Sequence, residues 1–174
     1  SLPDKTCGVY IGGGYPETHL KALSGNSRMR DAIRNAACSG MPVYAECGGL
    51  MYLGKAIKDL SGKAFPMAGV FPWRTVMSDK DKTLGYRDVL VGRGCPFLKK
   101  GARIRGHEYH YSKIVLSPSS RLKAVLKVKP SFTGGQSKAE GYLFKKTLAS
   151  YIHLHFESNP GLAKGIVSAC RAYA

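Results

Sequence analysis

The 174-residue sequence holds no apolar stretch approaching the roughly 18 residues that a bilayer span needs. Its N-terminus also lacks the basic-then-apolar pattern of a signal peptide, so a cytoplasmic location is expected. The five cysteines (Cys7, Cys38, Cys47, Cys95, Cys170) include no CxxC pair and are odd in number, which speaks against a disulfide framework or a cysteine-rich zinc site. Internal repeats, low-complexity blocks and Pro/Ser-rich linkers are absent, and residues 1–174 therefore read as a single domain. A chain of this size buries about 70% of its unfolded surface and needs neither disulfides nor a structural metal to fold.

Acidic residues are scarce, 11 against 27 Lys+Arg, for a formal charge of +16. Such an excess invites a nucleic-acid reading, which predicts retention on DNA with steep salt dependence. The distribution argues otherwise. Residues 1–54 carry five basic and four acidic residues while the remainder carries 22 and seven, and no run of five or six like charges forms anywhere. A solvated basic surface, or one that docks a partner domain or a polycarboxylate, is the expectation, with no nucleic-acid role.

What is present begins as alternating strand and helix. Cys7 to Ile11 is a short apolar run that stops at Gly12-Gly13-Gly14, as a buried strand does on entering a loop of close backbone approach. Pro16 and Glu17 suit the first turn of a short helix through Leu23. Asn26 or Ser27 can cap a second helix, in which Met29, Ala32, Ile33, Ala36 and Ala37 recur at helical spacing and Gly40 is the stop. Pro42 to Glu46 reads as another buried strand, followed by Cys47-Gly48-Gly49 and an apolar run, Leu50 to Ile57, of helical character. From Ala64 to Val128 the texture becomes Val/Tyr/Phe-rich segments split by Gly, Pro, Asp and Lys, which predicts largely antiparallel strands. Gly141 to Phe144 and Leu148 to His153 read as two more strands, and Asn159-Pro160 opens a last helix to Tyr173. The fold class expected is α/β, a sheet with flanking helices and a β-rich insertion.

A free cysteine is by default a small buried residue, yet Cys47 stands between a strand and a helix with two glycines behind it, the pattern of a nucleophile elbow. The helix N-terminus and the N–H groups of Gly48 and Gly49 are expected to lower the thiol pKa and to stabilise an oxyanion, and the glycines to keep the approach open. A thiolate nucleophile also wants an imidazole to take and return a proton. The chain offers His19, His107, His110, His153 and His155. Strand alternation puts His153 and His155 on one face, so spacing alone does not choose between them. HxxH and HxH on strands do not match a common zinc spacing, and no metal site is expected.

The stretches GGGYPETH (12–19), SGNSRMRDAIR (24–34), PVYAECGGLMYLG (42–54), RGHEYHYS (105–112), EGYLFKKTLASYIHLHF (140–156) and SNP (158–160) run in one order through nearly the whole chain. Together they resemble the class I glutamine amidotransferase domain of cobyrinic acid a,c-diamide synthases, whose sheet is flavodoxin-like. The resemblance implies glutamine hydrolysis, with Cys47 attacking the side-chain amide and ammonia passing to an ATP-dependent amidation of the a and c carboxylates of a corrin precursor. The similar nickel-sirohydrochlorin a,c-diamide synthases are not distinguished by these motifs. By the same likeness His153 is the base, and the backbone around Gly13 and Gly14 completes an oxyanion hole with the N–H of Gly48. Many class I members place a carboxylate two residues beyond the histidine, where this chain has His155. A Cys-His dyad is therefore expected, with Glu108 or His155 as the candidate orienting group and Glu46 supporting the fold.

The family's synthetase domain carries a phosphate-binding P-loop, and no GxxxxGK[ST] occurs in this sequence. No cofactor is thus expected on these residues, ATP and Mg belonging to the synthetase part, and glutamine, that synthetase part and a tetrapyrrole are the expected partners. Only Ser1 to Thr6 precede the first strand, where the family has a further strand, helix and strand. The chain reads as a fragment of a longer product with its first elements missing, a sheet edge exposed and a tendency to self-associate. A rival reading is a binding module that keeps the fold without turnover.

Overall fold

In the computed structural model, which describes residues 1–118, 121–133 and 135–174, the chain opens with strand β1 (Val9–Ile11). A 3-10 turn at Pro16–Thr18 leads to helix α1 (Leu20–Gly25) and helix α2 (Ser27–Ser39). The side-chain oxygen of Asn26 accepts the Met29 N–H at 3.1 Å, Gly40 closes α2 in the left-handed region at φ 86°, and Ile33, Ala36 and Ala37 supply the buried stripe. Strand β2 (Val43–Glu46) follows, buried at all four residues because parallel neighbours flank it on both sides.

Helix α3 (Gly48–Leu53) is shorter than the apolar run predicted, since the chain turns extended at Gly54 and continues as strand β3 (Ala56–Lys58). A Cβ on Gly54 would lie 2.5 Å from the Trp73 ring, so close packing on that buried indole ends the helix. The β-rich insertion then supplies β4 (Ala64–Pro66), β5 (Arg74–Met77), β6 (Thr83–Val91), β7 (Arg103–His110), β8 (Ser112–Val115) and β9 (Lys123–Pro130). Strands β10 (Lys138–Phe144), β11 (Thr147–Ser150) and β12 (His153–Leu154) and helix α4 (Gly161–Arg171) complete the chain.

Two sheets result, with orders β1-β2-β11-β10-β9-β6-β7-β12 and β4-β3-β5-β8. β1, β2 and β11 are parallel and every later pair of the large sheet is antiparallel, which is the expected α/β class with its insertion. The run Leu148 to His153 is not one strand. It breaks at Tyr151-Ile152, where Ser150 Oγ accepts the Ile152 N–H at 3.0 Å and the fully buried Glu140 accepts both the Ser150 hydroxyl (2.5 Å) and the Tyr151 N–H (2.8 Å).

That break shapes the molecule. β11 and β12 stand five positions apart in the sheet order, about 24 Å if it were flat, yet three residue steps span at most roughly 10 Å. The sheet therefore curls on itself and returns β12 to the end of β2, where the Leu154 N–H meets Glu46 Oε1 at 2.9 Å. Among the described residues no helix is long and apolar enough to cross a membrane.

Candidate active site

Cys47 sits one residue past β2, its N–H donating to the Ser150 carbonyl at 2.8 Å, with φ 47° and ψ −103°. A non-glycine residue held at positive φ costs about 1–3 kcal/mol, and here the strain turns the side chain off the strand end into a narrow cleft. Gly14, Tyr15, Glu17, His110 and Tyr111 line that cleft with it, around a free volume of about 20 Å³. The thiol points at the Tyr109 carbonyl, 3.4 Å away.

The expected depression of the thiol pKa is overturned. Burial pushes Cys47 up to about 11, the carboxylates of Glu17, Glu108 and Glu46 add to the rise, and the Gly48 N–H opposes them. Helix α3 has six residues, and its N-terminus does not outweigh the loss of solvent. The resting group is a thiol that needs a base.

The two glycines also act differently from expectation. Rather than leaving an open approach they are buried, because the loop after β1 packs on them. A Cβ on Gly48 would lie 2.8 Å from Gly14 O and 3.1 Å from Gly14 N, and one on Gly49 would lie 2.4 Å from Ile11 O. On the other side of the loop, a Cβ on Gly13 would lie 2.0 Å from His153 Cε1. The glycine loop is thus clasped between the first turn of α3 and the His153 ring, which brings Gly13, Gly14, Gly48, Cys47 and His153 into one neighbourhood.

The curl of the sheet places His153 there. Its ring stacks on that of His107 at 4.5 Å and 3°. Burial, His107 and His110 lower its pKa while Glu46 opposes them, so neutral imidazole is favoured. Among the described residues no hydrogen bond joins His153 to Cys47. The carboxylate nearest His153 belongs to Glu46, whose Oε2 lies 3.9 Å from Nδ1. Glu46 supports the fold as well, accepting from the Tyr10 hydroxyl (2.8 Å), the Tyr44 hydroxyl (2.5 Å) and the Leu154 N–H.

Neither proposed orienting group is bonded to His153 among the described residues. Glu108, 1% exposed, accepts from Arg87 Nε at 2.8 Å, Lys138 Nζ at 2.8 Å and His110 Nε2 at 3.0 Å. Burial works to raise its pKa, but these three donors prevail and hold it at about 2. His155 is exposed and lines a hollow of about 400 Å³ with His107, Tyr86 and Phe132. Sequence reasoning missed the Glu108–His110 pair, although residues two apart on a strand share a face and that rule could have found it. Nothing in the sequence links Glu46 to His153.

Four basic residues, Arg103, Arg105, Lys127 and Lys129, line a groove of about 720 Å³ together with Asp88, and Cys47 is not among its lining residues. Among the described residues no group of three or more His, Cys, Asp or Glu is arranged to hold a metal ion.

Residues 1–161 match the profile of the CobB/CobQ-like glutamine amidotransferase domain. A cobyrinate a,c-diamide synthase of Leptospira interrogans is 42% identical over 163 residues, covering 94% of this chain and 36% of that protein. A protein of the same name from Dehalococcoides mccartyi is 42% identical over 176 residues, covering 99% and 37%. The chain therefore spans little more than a third of these relatives. Among solved structures, PurLQS from Thermotoga maritima superposes with a TM-score of 0.64 at 15% identity, over 99% of this chain and 82% of that one. A crystal structure of glutamine amidotransferase gives 0.60 at 16% identity, over 94% and 79%. At such identities the structural likeness speaks for the fold.

Proposed function

Because this chain belongs to the CobB/CobQ-like glutamine amidotransferase domain family, we propose that it is the glutaminase part of an enzyme that amidates the a and c carboxylates of cobyrinate. Cys47 Sγ attacks the side-chain amide carbon of glutamine as His153 takes the thiol proton. The tetrahedral oxyanion forms beside the backbone N–H groups of Gly14 and Gly48. Collapse returns the proton to nitrogen, ammonia leaves, and a glutamyl thioester remains on Cys47. Water activated by His153 then releases glutamate and restores the thiol.

The observation that carries this reading is Cys47 held at positive φ between β2 and α3, with the glycine loop linking it to a neutral-favouring His153. Glu46, 3.9 Å from Nδ1 and so beyond hydrogen-bond length, acts on His153 through its charge, and neither Glu108 nor His155 replaces it. The ammonia is used by an ATP- and Mg-dependent synthetase part, consistent with the 36–37% of the relatives' length spanned here. The groove of four cations suits a polycarboxylate acceptor.

The test is covalent labelling by a glutamine-analogue electrophile, with glutamate release measured in parallel. Modification confined to Cys47, and loss of both signals in Cys47→Ala, is expected. Glutamate release that survives Cys47→Ala, or no labelling of Cys47, refutes the proposal, and the second result favours the non-catalytic binding module.

A further inference from the structure

His110 lies outside the proposed dyad, yet it lines the cleft of Cys47 and both of its ring nitrogens are engaged. Its Nδ1 lies 2.9 Å from the Ser112 carbonyl oxygen and its Nε2 lies 3.0 Å from Glu108 Oε1. The ring stacks on Tyr151 at 3.8 Å and 16°. A carbonyl oxygen only accepts hydrogen bonds, and a carboxylate held ionised by an arginine and a lysine also only accepts. Each ring nitrogen can therefore meet its partner only by donating. A neutral imidazole in this seat would aim a lone pair at an oxygen lone pair on one side.

We infer that His110 is a standing imidazolium, a positioning residue whose positive charge favours the Cys47 thiolate and keeps the neighbouring His153 neutral. The second half of this inference rests on the glutaminase reading; the protonation state itself does not.

The charges around the ring agree. Glu108 offers one negative charge to three cations, Arg87 from β6, Lys138 from β10 and His110 itself, where Glu108 and His110 are 1% and 8% exposed. Lys138 is half exposed and screened by water, so the excess that bears on the cleft is that of Arg87 and His110 over Glu108, and it favours an ion of the other sign. The group across the cleft that can become an anion is the Cys47 thiol, whose ionised form is disfavoured by burial and by the carboxylates of Glu17, Glu108 and Glu46 and favoured by the Gly48 N–H. Tyr151, stacked on the ring, is a neutral phenol, its pKa pushed far up by burial. From β12, His153 feels His110 as one of the causes that lower its pKa, which is the direction a cation imposes. Environment thus assigns two histidines two roles, one charged and fixed, the other neutral and free to accept a proton.

Two measurements test this on the chain as it stands. Nitrogen-edited NMR of the histidine rings at neutral pH should show one ring, absent in His110→Gln, with both nitrogens protonated. A His110 ring with one bare nitrogen at neutral pH overturns the inference, and this reading needs no variant to be active. The second is the pH profile of Cys47 alkylation by iodoacetamide, followed by peptide mass. His110→Gln should move its inflection upward and slow alkylation at mildly alkaline pH by about tenfold, the size of one unit in thiol pKa. His110→Lys, which restores a cation without the ring, should recover part of that loss. An unchanged profile in His110→Gln removes the electrostatic role. Glutamine turnover is not the readout, so a wild-type chain that alkylates as described but releases no glutamate counts against the glutaminase proposal alone.

Discussion

Replacing Gly13 with alanine adds a single methyl group, and the structure says where it goes. The new Cβ would stand 2.0 Å from His153 Cε1 and 3.0 Å from both ring nitrogens, while optimal carbon contacts lie at about 3.5–4.0 Å. Gly13 is not among the glycines at positive φ, so the backbone accepts alanine and the whole conflict falls on the imidazole. Its ring must retreat by about 1.5–2 Å, and it has room to do so because 24% of the side chain is exposed. The retreat breaks the stack on His107 rather than the core, so stability should fall by less than about 1 kcal/mol, as for surface changes generally. Proton transfer is far less tolerant: a misplacement of about 1 Å is worth roughly a hundredfold in rate. Glutamate release by Gly13→Ala should therefore drop at least a hundredfold while its urea midpoint stays near wild type. Gly14→Ala, whose Cβ meets nothing within 4 Å, is the companion variant and should also keep the wild-type midpoint. Wild-type turnover in Gly13→Ala would refute the placement of His153 against the glycine loop and its role as base.

Three further predictions concern the carboxylates. Glu46 opposes the lowering of the His153 pKa, so Glu46→Gln should shift the acid limb of kcat/KM to lower pH; an unmoved limb would show that Glu46 does not act on His153. Glu108 has a folded pKa of about 2 against an ordinary 4.5, so its contribution to stability is full above pH 4.5 and is lost as pH falls toward 2. Removing it at neutral pH leaves Arg87, Lys138 and His110 without their anion, and urea unfolding of Glu108→Gln should show a loss of about 3–5 kcal/mol. A loss below about 1 kcal/mol would mean that the quartet is not a buried network.

The sequence by itself determined the local pieces. Asn26 and Gly40 bound α2, Val43 to Glu46 had to be a buried strand, and Cys47 with two glycines marked the turn that the structure strains to positive φ. These are short-range facts, written in caps, glycines and apolar spacing within a few residues. The ambiguous cases were apolar runs that satisfy two periods at once: residues 50–57 split into helix and strand only because Gly54 must pack on Trp73, which lies 19 positions further on. Tertiary structure alone decided the electrostatics and the partnerships. The curl that returns β12 to β2 put Glu46 at 3.9 Å from a histidine 107 positions away, and the break at Tyr151 that allows it depends on the buried Glu140. Burial raised the Cys47 thiol where the helix terminus had promised the opposite, because desolvation is a property of the assembled fold and is not written in any local stretch of sequence.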